Sequence, residues 1–133
     1  WISIDLMDKT ARMLQSQMPN MILCSKLNVL EQRSEQPGAT IFCAASWLRD
    51  QEPDFPGMKL PASWEVTSDS IAGRLAIALA ADELVLLKST LPETGLADLE
   101  FLAKTGLVDP FLPRLAPMLP PLRLVNLRRS AQS

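Results

Sequence analysis

The stretch covering residues 67–88 constrains the fold more than any other, because its apolar residues change period partway along. Thr67, Ser68, Asp69 and Ser70 form a short polar turn, and hydroxyls or a carboxylate there can accept from the first free N–H groups of a helix. Ile71, Leu75, Ala78 and Leu79 then recur at helical spacing, which predicts a helix starting at residues 68–70 and ending near Ala81 and Asp82. Residues 83–88 follow as a short, nearly continuous apolar run, the composition of a strand buried on both faces. In an open α/β sheet ligands bind beyond the carboxyl ends of the strands, where helix N-termini also point. A strand ending at Val66 would put Thr67, Ser68, Asp69, Lys88, Ser89 and Thr90 on that edge. Exposed N–H groups at a positive helix end favour an anion, and Lys88 can add a point charge. The Asp69 carboxylate repels a bare phosphate and fits only if it orients a lysine, a metal ion or a substrate donor. The plainer reading of Ser68 or Asp69 is an ordinary N-cap.

The remaining segments alternate in the same way. Ile4, Met7, Ala11, Leu14 and Met18 predict an amphipathic helix stopped by Pro19 and Asn20. Residues 21–24 read as a core strand, residues 27–30 as a brief helical turn, and residues 39–43 as a strand entered through the Pro37-Gly38 turn. A further turn begins at Trp47 and Leu48. Two prolines, a glycine and three acids make residues 50–57 a loop. Leu96, Leu99, Leu102 and Ala103 predict a short helix with Gly106 at its C-terminal cap. Asp109 followed by Pro110 sets another helix start, and Pro117, Pro120 and Pro121 close it before a last strand at residues 122–127. Helices alternating with short strands imply α/β layers rather than a bundle, and 133 residues suffice for a single α/β domain.

Composition removes several chemistries. The chain has no histidine and no tyrosine, so catalysis falls to Asp, Glu, Lys, Arg, hydroxyls and backbone amides, and the usual triads and zinc sites are excluded. A net charge of −2 without a basic block gives no footprint for nucleic acid, and Arg123, Arg128 and Arg129 read as a solvated tail. Cys24 and Cys43 form no CxxC pair and read as buried thiols of a reducing cytoplasm. Arg74, Asp82 and Glu83 interrupt the longest apolar region, so no membrane span is expected, and no signal peptide is visible. A chain that opens on Trp1 rather than Met suggests a fragment or a processed chain.

The run Trp64, Glu65, Val66, Thr67, Ser68, Asp69, Ser70, Ile71, Ala72, then Leu75-Ala76, Ala81-Asp82-Glu83-Leu84 and Leu86-Leu87-Lys88-Ser89, resembles the nucleotide-binding half of the amino acid kinase family. Its wording is most similar to the branch of archaeal aminomethylfuran phosphate kinases and their bacterial relatives in one-carbon metabolism. Residues 6–14, residues 106–111 and Leu124-Val125-Asn126 fit the same branch. The resemblance implies a three-layer open sheet with helices on both faces, incomplete at the N-terminus, and an ATP- and Mg²⁺-dependent phosphotransferase acting on a small molecule in methanofuran or one-carbon cofactor synthesis. It implies a cytoplasmic homodimer. It makes Asp69 the catalytic aspartate that organises lysines around the transferring phosphoryl group, puts the nucleotide at Lys88, Ser89 and Thr90, and puts the acceptor beside Trp64, Thr67 and Ser68.

Phosphoryl transfer needs positioning and cationic stabilisation rather than imidazole, so the composition is compatible. The glycine-rich phosphate loops of the family are missing, since Gly38, Gly57, Gly73, Gly95 and Gly106 are all isolated. Three explanations remain open at this point: an upstream segment supplies the loops, another chain supplies them, or the chain is a degenerate member. The last keeps alive a second function, a non-catalytic ligand-binding or assembly subunit that retains the kinase fold.

Overall fold

A computed structural model describes residues 2–61, 66–89 and 98–127. The chain is mixed α/β and divides into two compact units, Trp1–Lys59 and Leu60–Ser133.

The first unit contains α1 (Ile2–Gln17), β1 (Ile22–Cys24), α2 (Leu27–Ser34), β2 (Thr40–Phe42), α3 (Ala44–Asp50) and a 3₁₀ turn at Glu52–Asp54. Strands β1 and β2 pair in parallel, Ile22 beside Thr40 and Cys24 beside Phe42, and the Cys43 N–H extends the ladder by donating to Cys24 O at 2.8 Å. Parallel pairing requires a crossover, and α2 supplies it. The brief turn expected at residues 27–30 is instead eight residues long, because Glu31, Gln32 and Arg33 are good helix formers that tolerate an exposed face. The 3₁₀ turn likewise adds local order inside the loop expected at residues 50–57.

Helix α1 forms where its periodicity predicts, yet its packed face is rotated. Met7, Asp8, Ala11 and Gln15 are half-buried, whereas Leu14 and Met18 are exposed. The reason lies in α3, whose N-cap, Cys43, offers no side-chain acceptor. Asp8 fills that role, accepting from the Ala45 N–H at 3.2 Å, and Asp5 pairs with Arg49 at 2.8 Å. Ile41, Cys43, Ala44, Ala45, Trp47 and Leu48 form the buried centre of the unit. Both thiols are free, and burial pushes both pKa values up, so they remain protonated at neutral pH and are poor nucleophiles.

The second unit contains α4 (Ser68–Leu79), β3 (Leu84–Lys88), α5 (Leu99–Lys104), α6 (Leu112–Leu115), a 3₁₀ turn at Ala116–Met118 and β4 (Leu122–Asn126). Strands β3 and β4 are parallel and in register from Leu84 beside Leu122 to Lys88 beside Asn126. Val66 is buried and carries no strand pairing of its own, and residues 62–65, over which the expected strand would run, lie outside the described residues. Burial along β3 alternates, with Leu84 and Leu86 inside and Val85 and Leu87 outside. The described elements of this unit therefore cover one face of the strand, not the two its apolar composition anticipates. Asp98 caps α5 through the Phe101 N–H at 2.8 Å, and Gly106, at φ +78°, turns the chain out of that helix.

Helices α4 and α6 approach closely at Gly73, where an added Cβ would stand 3.0 Å from Leu112 Cδ1 and 3.2 Å from Leu119 Cδ2. The end of α4 carries a local conflict. Ala80 adopts φ +51°, and Ala81 N–H closes back onto Ala76 O at 2.9 Å, a turn that ordinarily recruits glycine. Ala80→Gly is expected to raise stability by about 0.5–1 kcal/mol, because the left-handed conformation costs an L-residue roughly 1–2 kcal/mol and glycine returns part of that as unfolded-state entropy. A urea midpoint equal to or below that of the parent chain would show that the turn carries no such strain.

Candidate functional site

Helix α4 precedes β3 in the chain, and its first turn meets the strand's carboxyl end. There Lys88 donates to both carboxylate oxygens of Asp69, at 2.9 Å to Oδ1 and 2.9 Å to Oδ2. The pair is largely screened from water, with 20% of the lysine side chain and 11% of the aspartate side chain exposed. A carboxylate in the first turn of a helix also faces the positive end of its dipole. Thus the two residues that the sequence assigned to opposite ends of a helix-strand unit stand in contact at one edge.

A third charged residue completes the arrangement. Asp109 lies just ahead of α6 and is 5% exposed. Its Oδ2 accepts from the N–H of Thr67 at 2.8 Å, the hydroxyl of Thr67 at 2.9 Å and the N–H of Ser70 at 3.0 Å. Its Oδ1 accepts from the Ser70 hydroxyl and from the N–H groups of Phe111 at 3.1 Å and Leu112 at 2.9 Å. The Asp109 N–H donates to Asp69 Oδ2 at 3.2 Å. Asp109 therefore caps two helices at once: α6, which follows it, and α4, whose own N-cap, Thr67, makes no side-chain capping bond. It also ties α4, α6 and the Asp69–Lys88 pair into one network.

The two carboxylates differ in what they can still do. A carboxylate offers about four acceptor directions. Among the described residues Asp109 serves six donors and is saturated, whereas Asp69 serves three, two from Lys88 and one from Asp109, which leaves one direction on Oδ1. Thr67 and Ser68 are exposed beside the pair, as is Ser89 after it. Trp64 and Thr90 lie outside the described residues. Among the described residues no group of three His, Cys, Asp or Glu side chains stands close enough to hold a metal ion, and no helix is long and apolar enough to cross a membrane.

Sequence reasoning placed Thr67, Ser68, Asp69, Lys88, Ser89 and Thr90 on one edge; of these, Asp69 and Lys88 are in direct contact and Asp109 ties Thr67 to them. It read Asp109 only as the cap of the helix after it. The Asp-Pro dipeptide announces a helix start, but nothing in its spacing announces the second helix about 40 residues upstream whose end it closes. Of the expected basic cluster, Arg123 pairs with Glu83 across the sheet at 3.1 Å, an exposed contact of small worth, and Arg128 and Arg129 lie outside the described residues.

Comparison with protein-family models, with curated proteins and with solved structures finds no match in any of the three.

Proposed function

We propose that the chain is the nucleotide-binding portion of an ATP-dependent phosphotransferase that acts on a small molecule, of the amino acid kinase type, with an acceptor from methanofuran or one-carbon cofactor synthesis. The observation that carries this reading is the bidentate Asp69–Lys88 pair at the carboxyl end of a parallel strand. A carboxylate that fixes a lysine ammonium in place is the device phosphoryl transfer needs, since that chemistry depends on holding positive charge against the equatorial oxygens.

In this reading Asp69 aims Lys88 at the phosphoryl group, Ser89 and Thr90 contact the nucleotide, and Trp64, Thr67 and Ser68 border the acceptor. The site fits a divalent cation only through Asp69, which retains an acceptor direction where Asp109 has none. One protein carboxylate is enough for Mg²⁺ when nucleotide phosphates supply further ligands. Bound there, Mg²⁺ would neutralise charge on those phosphates. The sheet of this unit belongs to a three-layer open sheet with helices on both faces, and the exposed Val85 and Leu87 are the surface such a layer would cover. Glycine-rich loops come from an upstream segment or another chain, and the enzyme works as a cytoplasmic homodimer.

The test is transfer of labelled γ-phosphate to small amines and carboxylates by the full-length protein. Asp69→Asn is expected to lower the turnover rate by about 10²-fold or more, the usual loss when an electrostatic positioning group is neutralised. Unchanged turnover would remove the assigned role. The second reading, a non-catalytic ligand-binding or assembly subunit, is favoured by the isolation of all five glycines. Nucleotide binding without turnover in the full-length protein would select it.

A further inference from the structure

We propose a second ligand site, in the Leu60–Ser133 unit, for a small apolar molecule that carries one positive charge. It uses none of the residues of the phosphotransferase reading and stands or falls separately.

A cavity of about 250 Å³ opens between α5, the 3₁₀ turn at Ala116–Met118 and β4, walled by Leu99, Leu102, Leu119, Pro120, Leu122 and Leu124. It lies toward the amino end of β4, whereas Lys88 stands beside Asn126 at the carboxyl end, so it is separate from the Asp69–Lys88 edge. Two of its walls belong to the core, since Leu102 is 2% exposed and Leu124 9%. Leu99, Leu119, Pro120 and Leu122 are only half-buried around it.

Protein interiors are packed about as densely as organic crystals, so an unfilled space among these leucines forfeits dispersion contacts that an apolar guest would restore. A space of about 150 Å³ with such walls stays dry and takes up benzene. The present one therefore admits a hydrocarbon body of roughly seven to ten heavy atoms. Pockets of this kind are mostly apolar, with a few polar groups that fix the ligand's orientation.

The border decides the charge. Among the described residues Asp98 is its single charged member, and none of its side chains is a hydrogen-bond donor. Asp98 Oδ1 accepts from the Phe101 N–H at 2.8 Å, which holds the carboxylate at the head of α5. That bond takes one of about four acceptor directions. Asp98 is exposed and forms no ion pair among the described residues. A carboxylate on the rim of an apolar cavity, with no donor side chain opposite, attracts an ammonium and repels an anion. The ligand class that fits is a compact aliphatic amine, its hydrocarbon body among the leucines and its ammonium at Asp98.

The experiment follows the leucine methyl ¹³C–¹H resonances of the full chain, those of Leu99 and Leu119 assigned by Leu99→Met and Leu119→Met, during titration with cyclohexylamine, cyclohexanol and cyclohexanecarboxylate. The amine is expected to move these resonances saturably, and to bind at least threefold more tightly than the alcohol and at least tenfold more tightly than the carboxylate. Asp98→Asn, which keeps a good helix cap, is expected to bring the amine down to the affinity of the alcohol. Ala116→Leu, at an exposed position on the border, fills part of the cavity and is expected to weaken amine and alcohol alike at least fivefold. Leucine methyls that the amine leaves unmoved, an amine bound no more tightly than the alcohol, or a preference that survives Asp98→Asn would overturn the proposal.

Discussion

Asp109→Ala is expected to lower the stability of the Leu60–Ser133 unit by about 3–5 kcal/mol. The side chain is 5% exposed and accepts from six donors, among them the N–H groups of Ser70, Phe111 and Leu112. A buried donor left without a partner costs roughly 1–3 kcal/mol, and water entering the space left by the carboxylate would recover only part of that sum. Against a typical domain stability of about 5–15 kcal/mol the loss is severe. Asp109→Asn should fall between the two, since its amide keeps one acceptor oxygen but turns an NH₂ group toward N–H donors. The check is the urea transition of the full chain with amide exchange of α4 and α6. A loss under 1 kcal/mol for the alanine variant, with both helices still protected, would show that these donors find other partners.

The second large effect concerns the pair that Asp109 supports. Lys88→Met keeps most of the lysine stem but leaves the Asp69 carboxylate, in a residue 8% exposed, with one N–H donor from Asp109. It is expected to cost about 2–3 kcal/mol, and Asp69→Asn a similar amount, because each single change leaves a poorly solvated charge without its partner. The double variant should be less unstable than the sum of the two by about 1–2 kcal/mol, the coupling that contacting residues show. Strict additivity would mean that the ion pair is incidental to the packing of α4 on β3. Because the pair also supports the packing of α4 on β3, binding must be compared between variants that remain folded.

Much of this arrangement was legible because it is local. The switch in period after Leu79 marks where α4 gives way to β3, and the polar turn at residues 67–70 marks where α4 begins. Gly106 announced the end of α5 for the steric reason that its φ of +78° suits glycine. What escaped reading depends on partners distant in sequence. The rotation of α1 follows from the need of the α3 N-terminus for Asp8, 37 residues earlier, and periodicity cannot express that need. Asp109 escaped for the same reason: its caps on α4 are set by tertiary packing that brings α6 to α4, made possible by the missing side chain at Gly73. The alternating burial of β3 differs from the expectation of two buried faces because composition reports what a strand can bury, and neighbouring elements decide what it does bury.

The central claim is that Asp69 holds Lys88 ready for phosphate oxygens. Titration of the full chain with MgATP, followed by isothermal calorimetry and by the ¹⁵N resonance of the Lys88 ammonium, tests it most directly. The account predicts saturable binding, a shift of that ammonium resonance on saturation, and affinity at least tenfold weaker in Lys88→Met measured under conditions where the variant stays folded. Binding of equal strength in the parent chain and in Lys88→Met, or a Lys88 resonance that stays where it is while MgATP binds elsewhere, would contradict it.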